Sequence, residues 1–152
     1  MRHGVKNIAQ VTTAEVPRLL DGGAVYLDVR TVEEFDLGHV PGAYNVPLAH
    51  GSKAGLQDNP DFVTVVEASF SKDQSIIVGC RTGARAKRAI GALQARQFEH
   101  LSLHGPGWDG QSDPFGRKSG GWLASGQAVE QGASPGHTYA ELQYPQTKRS
   151  PT

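Results

Sequence analysis

A chain of 152 residues has room for one domain of ordinary size, whereas two would each be undersized. The 15 Lys plus Arg balance 15 Asp plus Glu, so total charge argues for neither nucleic acid nor a membrane as partner, and no apolar run approaches the roughly 20 residues of a bilayer span. The single cysteine, Cys80, excludes within one chain a disulfide framework and any multi-cysteine zinc or iron–sulfur site.

Residues 1–10 read as an N-terminal lead without the apolar core of a secretory signal, which makes the cytoplasm the expected location. Thr12 or Thr13 caps a predicted helix in which Val16, Leu19 and Leu20 share a face, ended by Gly22-Gly23. Ala24 to Val29 is a short buried strand of the parallel-sheet kind, with Asp28 its anomaly. Thr31 followed by Glu34 opens a short acidic helix, then the turn Gly38-His39-Val40-Pro41-Gly42 leads to a small strand from Ala43 to Val46. Residues 47–57 read as loop and Asp61 to Phe70 as helix. Gln74 to Val78 is the cleanest strand, and it ends at Gly79-Cys80. The next helix runs from Ala84 to Gln97, with Ala86, Ala89, Ile90 and Leu93 as its buried stripe, and Phe98 to Leu103 is the last strand. From Gln131 to residue 152 the chain reads as an extended or disordered tail. Strands alternating with helices predict a three-layer α/β domain with a mainly parallel central sheet flanked by helices. Such sheets bind ligands at the carboxyl ends of their strands, where Cys80 stands.

A lone cysteine is more often a small buried hydrophobe than a nucleophile. The setting of Cys80-Arg81-Thr82-Gly83-Ala84-Arg85 weighs the other way: the loop joins a buried strand to a helix N-terminus, whose unpaired N–H groups favour a negative sulfur. Residues 80–96 hold Arg81, Arg85, Lys87, Arg88 and Arg96 and no acid, a local +5 that would draw an anion. Residues 14–36 hold six acids and two arginines, a local −4, so the zero net charge sums opposed regions.

Three motifs resemble the rhodanese family, specifically its small single-domain sulfurtransferases, over roughly residues 11–130. They are Leu27-Asp28-Val29-Arg30-Thr31-Val32-Glu33-Glu34-Phe35 with Gly38-His39-Val40-Pro41-Gly42-Ala43-Tyr44-Asn45-Val46-Pro47, then Ile76-Ile77-Val78-Gly79-Cys80-Arg81-Thr82-Gly83-Ala84-Arg85-Ala86, and Gly120-Gly121-Trp122-Leu123-Ala124-Ser125-Gly126. The resemblance implies a rhodanese-like fold and a thiosulfate sulfurtransferase. Cys80 would take the sulfane sulfur of a small anionic donor as a persulfide and pass it to cyanide, a thiol or a protein acceptor. The N–H groups of Arg81, Thr82, Gly83, Ala84 and Arg85 would cradle the bound charge, and Arg81 and Arg85 would attract the donor. Asp28, Arg30, Glu34 and His39 would support the loop, with the Arg30 guanidinium paired to Glu34. No metal and no cofactor is implied; His3, His50, His100, His104 and His137 lack ligand spacing. Related phosphatases and arsenate reductases place an arginine where this chain has Ala86, which favours sulfur over a larger oxyanion. A rhodanese-like interaction module or persulfide carrier with little turnover remains the rival reading.

One departure from the family pattern stands near the expected site. About ten extra residues, Asp109 to Lys118, lie within a loop at 105–119. They form either a lid, with Trp108 or Phe115 as its apolar face and Arg117 adding charge, or a surface loop anchored by Trp108.

Overall fold

A computed structural model describes residues 8–132 and 135–144. β1 (Ala9–Gln10) leads through a 3-10 turn (Thr13–Glu15) into α1 (Val16–Asp21). A capping box between Thr12 and Glu15 starts this stretch, and Pro17 occupies the first helical turn, where a missing N–H costs nothing. β2 (Val25–Asp28) is followed by α2 (Val32–Leu37), which begins at the reciprocal Thr31–Glu34 box that the sequence signals, and by β3 (Tyr44–Asn45).

Where residues 47–57 read from sequence as loop, the chain forms an antiparallel hairpin of β4 (Ala49–Ser52) and β5 (Gly55–Asp58), which ends one residue beyond that stretch. Every residue of β5 is exposed, so it carries no apolar alternation to reveal a strand. α3 (Phe62–Ser69), β6 (Ile76–Gly79), α4 (Ala84–Gln94) and β7 (Leu101–His104) complete the regular part. α4 stops short of the predicted Gln97, which itself lies at φ 66° and turns the chain. A second hairpin of β8 (Gln111–Ser112) and β9 (Lys118–Ser119), a 3-10 turn (Leu123–Ser125) and α5 (Tyr139–Leu142) follow.

Five strands form one parallel sheet in the order β1-β7-β6-β2-β3. Alternation along its central strands separates two apolar layers. Leu27, Val29, Ile76 and Val78 face Phe62, Val66, Ala86, Ala89, Ile90 and Leu93 of α3 and α4. Tyr26 and Ile77 face Val16 of α1, Phe35 of α2 and Trp122. The fold is therefore the three-layer α/β arrangement expected from the sequence. Its register aligns Asp28, Gly79 and His104 in one row at the carboxyl edge, immediately below Cys80.

Two boundaries differ from the sequence reading. Ala9 and Gln10 of the expected lead pair with β7 as an edge strand, a placement made by backbone bonds that their side chains do not announce. In the expected tail, Thr138 caps α5, and Tyr139 and Leu142 are buried against the α3/α4 layer, two apolar residues being too few to reveal a helix by period. Of the remaining tail, residues 133–134 and 145–152 lie outside the described residues, as do 1–7 of the lead.

Candidate active site

The four residues of β6 are all buried, and the strand delivers Cys80 to the carboxyl edge, where it is 3% exposed. The chain then turns into α4 through Gly83 at φ 108°, a left-handed conformation that favours glycine. This turn directs the backbone N–H groups of Gly83 and Ala86 at the Cys80 sulfur, at 3.1 and 3.3 Å. The cradle thus rests on Gly83 and on Ala86, one residue beyond the stretch anticipated from sequence, while Arg81, Thr82 and Ala84 are exposed.

The arginines beside the sulfur are already partnered. Arg85 makes two hydrogen bonds to the Glu34 carboxylate, at 2.8 and 3.1 Å. Arg81 meets the same carboxylate at 3.7 Å and binds Asp109 through Nε at 2.7 Å and Nη2 at 2.6 Å. Two guanidinium groups and two carboxylates thus alternate around the loop with no net charge. Arg88 pairs with Asp58 and Arg96 with Glu67. The local +5 is therefore largely neutralised where the folded chain brings acids to it. Burial works to raise the Glu34 pKa, but the Arg85 and Thr31 hydrogen bonds outweigh it and hold the group at about 2.

Arg30 does not pair with Glu34 as expected. Its Nε and Nη2 grip Asp28, the shortest bond being 2.7 Å, and Nη2 also donates to the Gly38 carbonyl at 2.7 Å. Asp28 lies two residues away in extended chain and is buried with Arg30, so this pairing satisfies both charges locally and leaves Glu34 to Arg85. His39 is fully buried, stacked on Phe35 at 3.6 Å, with Nδ1–H donating to the Phe35 carbonyl at 2.7 Å. It braces the turn behind the loop and is remote in bonding from Cys80.

Sequence reasoning missed a buried polar chain below the loop. Thr13 donates its hydroxyl hydrogen to the Gly120 carbonyl, so its oxygen accepts from His104 Nε2–H at 2.7 Å. His104 Nδ1 then accepts from the Tyr26 hydroxyl at 2.6 Å, which fixes a neutral imidazole. Burial lowers the His104 pKa to about 4 and raises that of Tyr26. The Tyr26 hydroxyl lies where a Cβ on Gly79 would be, one residue before Cys80. The only signal in sequence was a histidine in an apolar strand.

The 105–119 loop is bonded to the cysteine loop at its base. Trp108 N–H donates to the Cys80 carbonyl at 2.8 Å and Asp109 N–H to the Arg81 carbonyl at 2.9 Å, while Gly107, at φ 58°, leaves no space for a Cβ against the Cys80 carbonyl. From the other side Trp122 and Leu123 donate to the carbonyls of Gly107 and Trp108. The Trp108 ring packs 4.8 Å from the Arg30 guanidinium carbon and so acts as an anchor. Phe115 is 87% exposed at the hairpin tip and Arg117 is also exposed, so neither covers Cys80. The surface-loop reading describes this segment better than the lid. Asp109, not singled out from sequence, is the residue of this loop whose side chain binds an arginine of the cysteine loop.

Residues 12–111 match the family model described as Rhodanese-like domain. "Thiosulfate sulfurtransferase 16, chloroplastic" of Arabidopsis thaliana is 48% identical over 71 residues, covering 47% of this chain and 59% of the relative. "Protein HIGH ARSENIC CONTENT 1, mitochondrial" of the same plant is 36% identical over 111 residues, covering 71% of this chain and 66% of the relative. The chain thus spans less than two thirds of the length of either. A solved M. tuberculosis protein, Rv0390, superposes with a TM-score of 0.66 at 22% identity, covering 84% of this chain and all of that one, a likeness of fold. Among the described residues no helix is long and apolar enough to cross a membrane.

Proposed function

The chain belongs to the rhodanese-like domain family, and from that membership we propose that it is a sulfurtransferase carrying sulfane sulfur on Cys80. The Cys80 thiolate attacks the outer sulfur of thiosulfate or a similar small anionic donor. The donor's S–S bond breaks, sulfite leaves with the bonding pair, and Cys80 becomes a persulfide. Cyanide or a thiol then attacks the outer sulfur, and Cys80 departs as thiolate. Because Cys80 is the chain's one cysteine, no second thiol within it resolves the persulfide, so the acceptor comes from outside.

The observation that carries this reading is the pair of backbone N–H groups, from Gly83 and Ala86, that converge on the Cys80 sulfur at the end of β6. They are fixed before any substrate arrives and face a negative charge on the sulfur at no cost of reorganisation. Incubation with thiosulfate followed by intact mass measurement tests it. The wild type is expected to gain one sulfur atom and Cys80→Ser none, and a cyanide chase should release thiocyanate and restore the original mass. Absence of the gain on wild type refutes the mechanism.

One observation favours the persulfide-carrier reading as a second. Arg81 and Arg85 are both engaged by carboxylates, which weakens their pull on a free anion. A carrier would be persulfidated yet turn over thiosulfate slowly, a distinction that steady-state thiocyanate release reads directly.

A further inference from the structure

We infer that Asp109 is a specificity-determining residue that disfavours small dianionic sulfur donors relative to donors of lower charge. The inference rests on the sulfur-transfer reading and deepens it. Arg81 follows Cys80 directly and is the more exposed of the loop's two arginines, its side chain 51% exposed against 14% for Arg85. It is therefore the cation an incoming anion meets first. Its Nε and Nη2 are both held by Asp109, whose own N–H binds the Arg81 carbonyl, so the carboxylate is tied to the loop by backbone as well as by side chain.

Asp109 is itself held. Its carbonyl carbon packs against Gly121, where a Cβ would not fit, and the flanking Trp108 and Gly110 N–H groups bind the carbonyls of Cys80 and Pro106. Glu34 adds a second carboxylate within 3.7 Å of Arg81 and is itself claimed by Arg85. With the four charges cancelling, an approaching anion gains little from the loop's arginines. Removing the Asp109 charge alone leaves a net +1 beside Cys80.

Coulomb energy scales with the product of charges, so a factor gained by a monoanion is squared for a dianion at the same place. Thiosulfate is a dianion, and an alkyl thiosulfonate presents the same outer sulfur with one charge less. It transfers that sulfur to the Cys80 thiolate by the same S–S cleavage, with a sulfinate leaving. Asp109→Asn keeps the shape, an acceptor oxygen and the backbone bond. We expect it to raise kcat/KM for thiosulfate about tenfold and for methyl thiosulfonate about threefold at low salt, through KM, with both gains shrinking as ionic strength rises.

A second readout is independent of turnover. Cys80 is the one thiol of the chain, so the ratio of its carboxymethylation rate by iodoacetate to its carbamidomethylation rate by iodoacetamide, read on the peptide that carries it, reports the potential at its sulfur; each thiolate attack displaces iodide. Asp109→Asn should raise that ratio about threefold. Equal changes with both donors and an unchanged alkylation ratio would overturn the assignment and make Asp109 a purely structural tie. If wild type forms no persulfide with either donor, the sulfur-transfer reading fails, whereas the alkylation ratio still decides whether Asp109 sets the charge seen at Cys80.

Discussion

Glu34 joins three segments through one carboxylate: it closes the Thr31 capping box of α2, takes both bonds from Arg85 at the start of α4, and lies near Arg81. Its folded pKa of about 2 lies below the ordinary carboxylate value of 4.5, so the folded state resists its protonation. The stabilisation is complete above about pH 4.5 and is lost as pH falls toward 2. With its side chain 25% exposed, the loss should be about 2 kcal/mol. Urea unfolding between about pH 5 and 2.5 should show stability falling with acidity in wild type, and Glu34→Gln should flatten that slope while lowering stability at neutral pH. An identical slope in the variant would mean that another group titrates. The sequence made Glu34 visible as a cap and as part of a motif. It did not reveal that the acid neutralises the cysteine loop, because charges counted along the chain do not say which segments fold against each other.

β6 and β7 end side by side, Gly79 opposite His104, and the Tyr26–His104–Thr13 chain runs beneath them. The strands themselves were legible from their apolar runs, as was the buried face of α4. The hydrogen-bonded partners of His104 were not, since they come from β2 and from the turn before α1, 78 and 91 positions away. Two expectations follow for this element. His104 has its pKa lowered from 6.5 to about 4 by burial, so the unfolded chain takes up its proton first. Stability is therefore complete above about pH 6.5 and falls between 6.5 and 4, by about 3 kcal/mol in total. This window lies above that of Glu34, and His104→Gln should remove the loss within it while leaving the more acidic slope intact. Gly79→Ala would drive a methyl into the Tyr26 hydroxyl and should cost about 1–3 kcal/mol, as an overpacked core does. Combining it with Tyr26→Phe should recover part of that loss, and chemical denaturation of the single and double variants measures the recovery. Full additivity of the two would show that the cost of Gly79→Ala does not come from the Tyr26 hydroxyl.

The family match stops at residue 111, yet both apolar layers are completed by chain beyond it. Trp122 closes the α1/α2 side, and its ring N–H is satisfied by the Ala128 carbonyl at 2.9 Å. Tyr139 and Leu142 close the other side, where the Tyr139 hydroxyl accepts from Asn59 at 3.2 Å and the His137 ring stacks on Tyr44 at 3.9 Å. The Gly and Pro spacing that makes this stretch read as a tail is real, but a few anchoring side chains suffice to dock an irregular segment. Burying the Tyr139 and Leu142 side chains contributes about 1.5–3 kcal/mol each, offset by the entropy of ordering the short helix that carries them. Ending the chain at residue 132 should therefore lower the unfolding free energy by about 2–4 kcal/mol, and Tyr139→Ala with Leu142→Ala should reproduce most of that drop. Cys80 lies under the 107–123 segment, which both variants keep, so persulfide formation measured well below their unfolding temperature should remain at the wild-type level. A truncated chain as stable as the full one would mean that the segment rests on the core without supporting it. Loss of persulfidation in a chain that is still folded would mean instead that the docked tail reaches the cysteine loop through the sheet.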